Sequence, residues 1–395
     1  MIKKTNNHFY DNFEFNSVSA EIKYKNRDDF ALIFSKKPCN AAAVFTKNLV
    51  KASPLKVSSA NIKNKIRAVL VNSGNANAAT GTQGMENALK LNQVLSEKLN
   101  IPSGSILQCS TGVIGIQLPV EKMINSLPAL VEGKNPDKAD FFSKAIMTTD
   151  TFNKISTYEF SHDNINYRVT GIAKGAGMIA PDMATLLAFI LTDFPVSPDK
   201  MDTIFRAAAD STLNAITVDG DTSTNDTAIL LSPENDSYFI DDNDLSLFRE
   251  ALTAVMSDLA YMLIKDAEGA TKCVKISCIN AKSENDARLC SRAIAQSMLV
   301  KTAIFGEDPN WGRIACAAGY SGADFNPDNI SISFNNIVLL DKGSPLGHNI
   351  IEAEKVIKNS EYTITIDLNE GNFNWTFLTS DLSYDYVKIN AEYTT

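Results

Sequence analysis

Histidine is scarce: three residues, His8, His162 and His348, in a chain of 395. A Ser-His-Asp or Cys-His site needs an imidazole base. These histidines stand near the start, in the polar hairpin Ser161-His162-Asp163-Asn164 and in a Gly/Pro loop, and each reads as a surface residue. If the chain is an enzyme, its base is expected to be some other group. Long hydrophobic runs are also missing. The longest apolar block near the middle, Leu186 to Leu191, falls far short of the ~20 residues a membrane helix needs. The opening Met1 to His8 has positive charge but no apolar stretch behind it, unlike a secretory signal. A cytoplasmic protein with no membrane partner is expected.

No basic run occurs either, and 37 Lys+Arg against 46 Asp+Glu give a net charge of −9. That balance leaves no electrostatic footprint for nucleic acid, so small molecules or other protein chains are the expected partners. The six cysteines, Cys39, Cys109, Cys273, Cys278, Cys290 and Cys316, are too dispersed for a disulfide framework. Only Cys273 and Cys278 lie close together, at a spacing wrong for a zinc knuckle and with no histidine nearby. No metal site is expected.

What remains is near the globular average, with 44% hydrophobic and 21% charged residues, enough for two domains or one large one. Apolar runs and alternation predict strands at Ile66 to Val71, Asn166 to Ile172, Leu186 to Thr192, Thr227 to Leu231, Cys273 to Ile279, Asn329 to Phe334 and Tyr362 to Leu368. Helical spacing marks Ala88, Leu91, Leu95 and Leu99, then Phe248 to Met262, then Cys290, Ala293, Ile294, Ser297 and Met298 as buried stripes. The class is mixed α/β or α+β. Polar stretches at 132–138, 194–200, 232–244 and 341–348 are expected loops or boundaries.

Glycine and hydroxyl residues concentrate in three places: Ser110 to Gly115, Lys174 to Thr185, and Thr217 to Asp226. Gly175-x-Gly177 lacks the third glycine of a dinucleotide fingerprint and the ending of a P-loop. Asp219-x-Asp221-x-Ser223 suggests an aspartyl nucleophile or a calcium loop, but Thr224 and Leu230 stand where that loop needs glycine and glutamate. A hydrogen-bonded Asx turn is the plainer expectation. Thr185 answers the missing base. If the Ala184–Thr185 peptide is cut, Thr185 carries both a hydroxyl nucleophile and a free α-amine. Such an amine has a pKa of about 7.7 to 8.0, against about 10.4 for lysine, and is poised to take a proton near neutral pH.

The segment Lys174-Gly175-Ala176-Gly177-Met178-Ile179-Ala180-Pro181-Asp182-Met183-Ala184-Thr185 resembles the self-cleavage segment of the ornithine acetyltransferase, or glutamate N-acetyltransferase, family of arginine biosynthesis. Val71 to Ala78, Ser110 to Gly115, Thr217 to Asp226, Gly306 to Arg313 and Ile389 to Thr395 are similar to that family's other motifs, in the same order. The resemblance implies a layered α-β-β-α architecture, of the self-processing aminopeptidase type, with the site between two lobes. It implies autocatalytic cleavage at Ala184-Thr185 into chains 1–184 and 185–395, two of each forming a heterotetramer. Thr185 would be nucleophile and base, and Thr111 with Gly112 the oxyanion hole. Thr148 (with Thr149 one position away), Lys174, Thr185, Glu268, Asn390 and Thr395 would bind substrate, Lys174 facing a carboxylate and Glu268 an ammonium.

The expected reaction moves acetyl from N2-acetyl-L-ornithine to L-glutamate through an acetyl-threonine, with no cofactor. Whether acetyl-CoA also serves as donor stays open. Glycines 175 and 177 are expected to serve backbone conformation, and Asp182, Asp219 and Asp221 the rigidity of the site. An amidase or aminopeptidase using the same self-cleaving logic is the alternative.

Overall fold

The computed structural model describes residues 1–8, 12–180, 186–235, 238–239 and 241–392. Among the described residues one sheet has nine strands. It runs in the order Lys3–Thr5, Lys154–His162, Ile165–Lys174, Leu187–Thr192, Thr227–Pro233, Phe30–Phe45, Ile66–Asn72 and Ile106–Ser110, with Phe13–Val18 added beside Phe30–Phe45. The 16-residue strand Phe30–Phe45 belongs to both halves of this sheet. Its first part pairs with Ile66–Asn72 and its second part with Thr227–Pro233, the register shifting between Phe34 and Cys39.

Alternation then builds the layers. Along Leu187–Thr192, residues Leu187, Phe189 and Leu191 enter a central cluster with Phe13, Phe15, Val69, Val71, Leu107 and Phe142. Ala188 and Ile190 point the other way, onto Phe205 of helix Pro198–Ser211 and onto Leu252, Val255 and Leu259 of helix Ser246–Lys265. In the other half, Leu32, Phe34, Ala68 and Leu70 meet Leu91 and Leu95 of helix Gly81–Leu99 and Met123 and Leu127 of helix Val120–Glu132. Helices therefore cover both outer faces while the inner faces share one core, the expected α-β-β-α order. Strands buried on both faces read as the continuous apolar runs seen in the sequence.

A second sheet has seven strands among the described residues, in the order Ser344–Pro345, Ile337–Asp341, Ser331–Phe334, Glu361–Asp367, Cys273–Ala281, Phe373–Ser380 and Ile216–Thr217. Its core joins Ile276, Ile364 and Phe377 to Cys290 and Ile294 of helix Glu284–Gln296, Ala317 of helix Trp311–Gly319 and Ala353 of helix Ile350–Ile357.

Two expectations need correction. The stripe ending at Met298 is broken, because Ser297 leaves helical geometry and its side chain caps a new helix, Met298–Phe305, by accepting from Val300 N–H; Met298 itself is exposed. His8 and His162 are half-buried rather than superficial. His8 Nδ1 lies 2.6 Å from Thr157 Oγ1, and the His162 ring packs edge-on to Phe239. The hairpin at His162 does form, turning through Asp163 and Asn164, both at positive φ. All six cysteines are free, and only Cys316 is exposed. Among the described residues, no helix is long and apolar enough to cross a membrane.

Candidate active site

Strand ends and their loops converge on one open pocket. Thr111 and Gly112 follow strand Ile106–Ser110, Lys174 ends strand Ile165–Lys174, and Asn225 precedes strand Thr227–Pro233. Thr148 and Thr149 come from the loop after helix Ala139–Ala145, Glu268 from the turn after helix Ser246–Lys265, and Asn390 from helix Tyr384–Glu392. Six positions expected from the sequence thus line one cavity. None of the three histidines lines it.

Asparagines fix the floor. Ser110 Oγ donates to Asn72 Oδ1 at 2.5 Å, and Asn225 Nδ2 donates to Ser110 O at 2.9 Å and Ala76 O at 2.6 Å. Three of the motifs quoted above are stitched together by these bonds. Thr111 N–H donates to Asn72 O and Val113 N–H to Gly74 O, whereas Gly112 N–H has no acceptor among the described residues. Gly112 has φ +131°, and a Cβ there would come within 2.3 Å of the Gly74 carbonyl carbon, so glycine is required. A free N–H beside the Thr111 hydroxyl is a donor pair suited to a developing oxyanion.

Lys174 is 3% exposed. Its Nζ donates to Thr148 Oγ1 at 2.7 Å and Thr111 Oγ1 at 3.3 Å, with Asp150 Oδ2 3.7 Å away. The bond to Thr148 distinguishes it from Thr149, although both line the pocket. Because Thr111 Oγ1 accepts from Lys174, its own hydroxyl hydrogen is left to donate into the cavity.

A buried chain of alternating charge continues behind. Asp150 Oδ1 accepts from Lys154 Nζ at 2.8 Å and Gly175 N–H at 2.6 Å, and Lys154 Nζ reaches Asp266 Oδ2 at 2.5 Å. Burial pushes Asp150 up, but Lys174, Lys154 and these hydrogen bonds pull it well below the usual carboxylate range. Burial lowers Lys174 against the opposing pull of Asp150.

The opposite wall is set by Glu268. Its N–H donates to Ala176 O, and its Oε2 accepts from Asn390 Nδ2 at 2.9 Å. Gly177 lies so close that a Cβ would stand 2.5 Å from Glu268 Cδ. The next residue, Met178, has φ +57° and donates its N–H to Asp219 Oδ2 at 2.6 Å; Tyr386 O–H donates to the same oxygen at 3.2 Å. Asp221 N–H donates to Asp219 Oδ1, giving the expected Asx turn rather than an open ligand set.

Pro181, Asp182, Met183, Ala184, Thr185 and Thr395 lie outside the described residues. Leu186 is described: its N–H donates to Asp226 Oδ1 at 3.1 Å and its carbonyl accepts from Thr227 N–H. A narrow crevice lined by Thr111, Lys174, Leu186, Leu187, Asn225 and Asp226 adjoins this point. Sequence reasoning missed Asp150, Lys154 and Asp226 as parts of the site. Asp226 sat inside a quoted motif, but nothing in composition or spacing shows that a carboxylate is buried.

The family model described as the ArgJ family matches residues 14–395. The arginine biosynthesis bifunctional protein ArgJ of Geobacter sulfurreducens is 45% identical over 97% of this chain and 99% of its own length. The protein of that name from Caldanaerobacter subterraneus is 44% identical over 97% of both. Among solved structures, the arginine biosynthesis bifunctional protein argJ of Bacillus halodurans is 38% identical, with a TM-score of 0.50, covering 52% of this chain and 98% of the solved one.

Proposed function

The chain belongs to the ArgJ family, and on that premise we propose that it is an acetyltransferase of arginine biosynthesis, moving acetyl from N2-acetyl-L-ornithine to L-glutamate. The carrying observation is the convergence of Thr111, Gly112, Thr148, Lys174, Glu268 and Asn390 on one pocket. In the proposed maturation, Thr185 Oγ–H adds to the Ala184 carbonyl carbon. The C–N bond breaks, the hydroxyl proton ends on the Thr185 nitrogen, and water hydrolyses the resulting ester. The Bacillus halodurans chain, matched over 98% of its length by 52% of this one, is about half as long, as a cut chain would be.

In turnover, Thr185 Oγ attacks the acetyl carbonyl while its amine takes the proton. The Thr111 hydroxyl and Gly112 N–H hold the oxyanion; removing one such donor costs about 3 to 4 kcal/mol of barrier. Lys174 has three N–H donors and spends two on threonines, leaving one for the substrate α-carboxylate. Glu268, steadied by Asn390, meets the substrate ammonium. Ornithine leaves with the proton, and glutamate accepts the acetyl group in the same pocket. Thr395 completes the substrate contacts, two of each chain assemble, and no metal or organic cofactor enters the scheme.

The test is purified protein with acetylornithine and glutamate, beside Thr185→Ala. The wild-type chain should run as two bands on a denaturing gel and transfer acetyl, and the variant should do neither. Free acetate released at a rate indifferent to glutamate would instead identify an amidase. A second assay with acetyl-CoA and glutamate establishes whether that donor is also used.

A further inference from the structure

The segment Thr217 to Thr227 grips the chain on both sides of residues 181–185. On the near side, Val218 N–H donates to Ile179 O at 2.7 Å, Thr217 Oγ1 donates to the same oxygen at 3.2 Å, and Asp219 accepts from the Met178 N–H. On the far side, Asp226 Oδ1 accepts from Leu186 N–H and Thr227 N–H donates to Leu186 O. One short stretch therefore fixes both ends of the piece that contains the expected scissile bond.

Two features argue that these carboxylates do more than fill space. Met178 is a non-glycine residue at φ +57°, a conformation that lasts where its surroundings favour it, and its N–H is held by Asp219. Asp226 is 1% exposed, and its Oδ2 has no hydrogen-bond partner among the described residues. The Leu186 and Ser223 backbone, the Thr46 hydroxyl and the Lys174 ammonium favour its charged form, but they do not outweigh its burial. Burial accordingly holds its pKa well above the ordinary aspartate value.

We propose that Asp219 and Asp226 are positioning residues for self-cleavage, each holding a backbone N–H of one flank, Met178 on the near side and Leu186 on the far side, so that the Thr185 hydroxyl meets the preceding carbonyl more often than in a chain free at either end. This rests on the self-splitting reading above. A backbone nucleophile reaches the preceding carbonyl only in a narrow range of geometries, and a chain free to relax at either end spends little time there.

The experiment follows conversion of the full-length chain into two bands with time, for wild type, Asp226→Ala, Asp226→Asn and Asp219→Ala, with a thermal unfolding scan of each. Asp226→Ala and Asp219→Ala should split about tenfold more slowly or worse. Asp226→Asn keeps a carbonyl oxygen for Leu186 N–H and should split near the wild-type rate. A purely structural role would lower the unfolding temperature without this ordering. Wild-type rates in both alanine variants, or Asp226→Asn as slow as Asp226→Ala, overturn the clamp. If Asp226→Ala does not fold, wild-type splitting by Asp219→Ala overturns it alone. A wild-type chain that never splits removes the self-cleavage reading and the clamp with it, a result distinct from normal splitting in the variants.

Discussion

Lys174 and Leu187 are register partners across the antiparallel pair Ile165–Lys174 and Leu187–Thr192, on opposite sides of the expected cut. Leu187–Thr192 is also bound on its other edge to Thr227–Pro233. Cutting between 184 and 185 therefore leaves the sheet and the apolar clusters on its faces intact. The two products should elute from a sizing column as one particle in native buffer and separate only in denaturant. Separation without denaturant would contradict the strand pairing.

The strands that were legible in the sequence are those with unbroken apolar runs or clean alternation, such as Ile66–Asn72, Leu187–Thr192 and Glu361–Asp367. Phe30–Phe45 was not, because Ser35-Lys36-Lys37-Pro38 interrupts its apolar run where the strand passes between the two halves of its sheet. Phe373–Ser380 was missed for another reason: its first four residues are exposed or half-buried, so a period of two is hidden. The site shows the same divide. Thr111, Gly112 and Lys174 stood in motifs, whereas Asp150 and Lys154 acquire meaning only when tertiary packing buries them beside Lys174 and Asp266.

Asp150 stands between two buried ammonium groups, so Asp150→Asn should destabilise the fold strongly. Removing one partner of a buried pair costs about 3 to 5 kcal/mol, which urea unfolding at pH 7 reads directly. The native carboxyl is held below its unfolded value, so its stabilisation is present above the unfolded pKa of about 4 and fades as pH falls below that. The gap between variant and wild type should be constant between about pH 5 and 7 and narrow toward about pH 3. A cost under about 1 kcal/mol at pH 7 would show that the lysines are satisfied by other groups.

Gly177→Ala separates site geometry from fold stability. The new Cβ would lie 2.5 Å from Glu268 Cδ, so the glutamate must swing away and lose its bond from Asn390. Glu268 is half-buried at the pocket wall and has room to move, so the urea midpoint should change little. Displacing a substrate-positioning group by about 1 Å can cost on the order of a hundredfold, and kcat/KM with acetylornithine should fall by about tenfold or more. Unchanged kinetics would mean that Glu268 does not position substrate.

Lys301 gives the fold a dependence on alkaline pH. The side chain is 3% exposed, donates to Thr379 Oγ1 at 3.0 Å, Ser380 Oγ at 3.3 Å and the Ser380 carbonyl, and has no carboxylate in its hydrogen-bonding shell. Burial lowers its pKa to about 7, with Asp381 and Asp219 opposing from a distance. An unfolded lysine titrates near 10.4, so between about pH 7 and 10 the unfolded chain binds more protons than the folded one. Stability from this residue must rise with pH across that window, by up to about 2 kcal/mol between pH 7 and 9. Lys301→Met cannot titrate, and its unfolding free energy should lack this increment. Urea unfolding of both proteins at pH 7 and 9 measures the difference of slopes. Equal slopes would place the native ammonium near its ordinary pKa and refute the effect of burial.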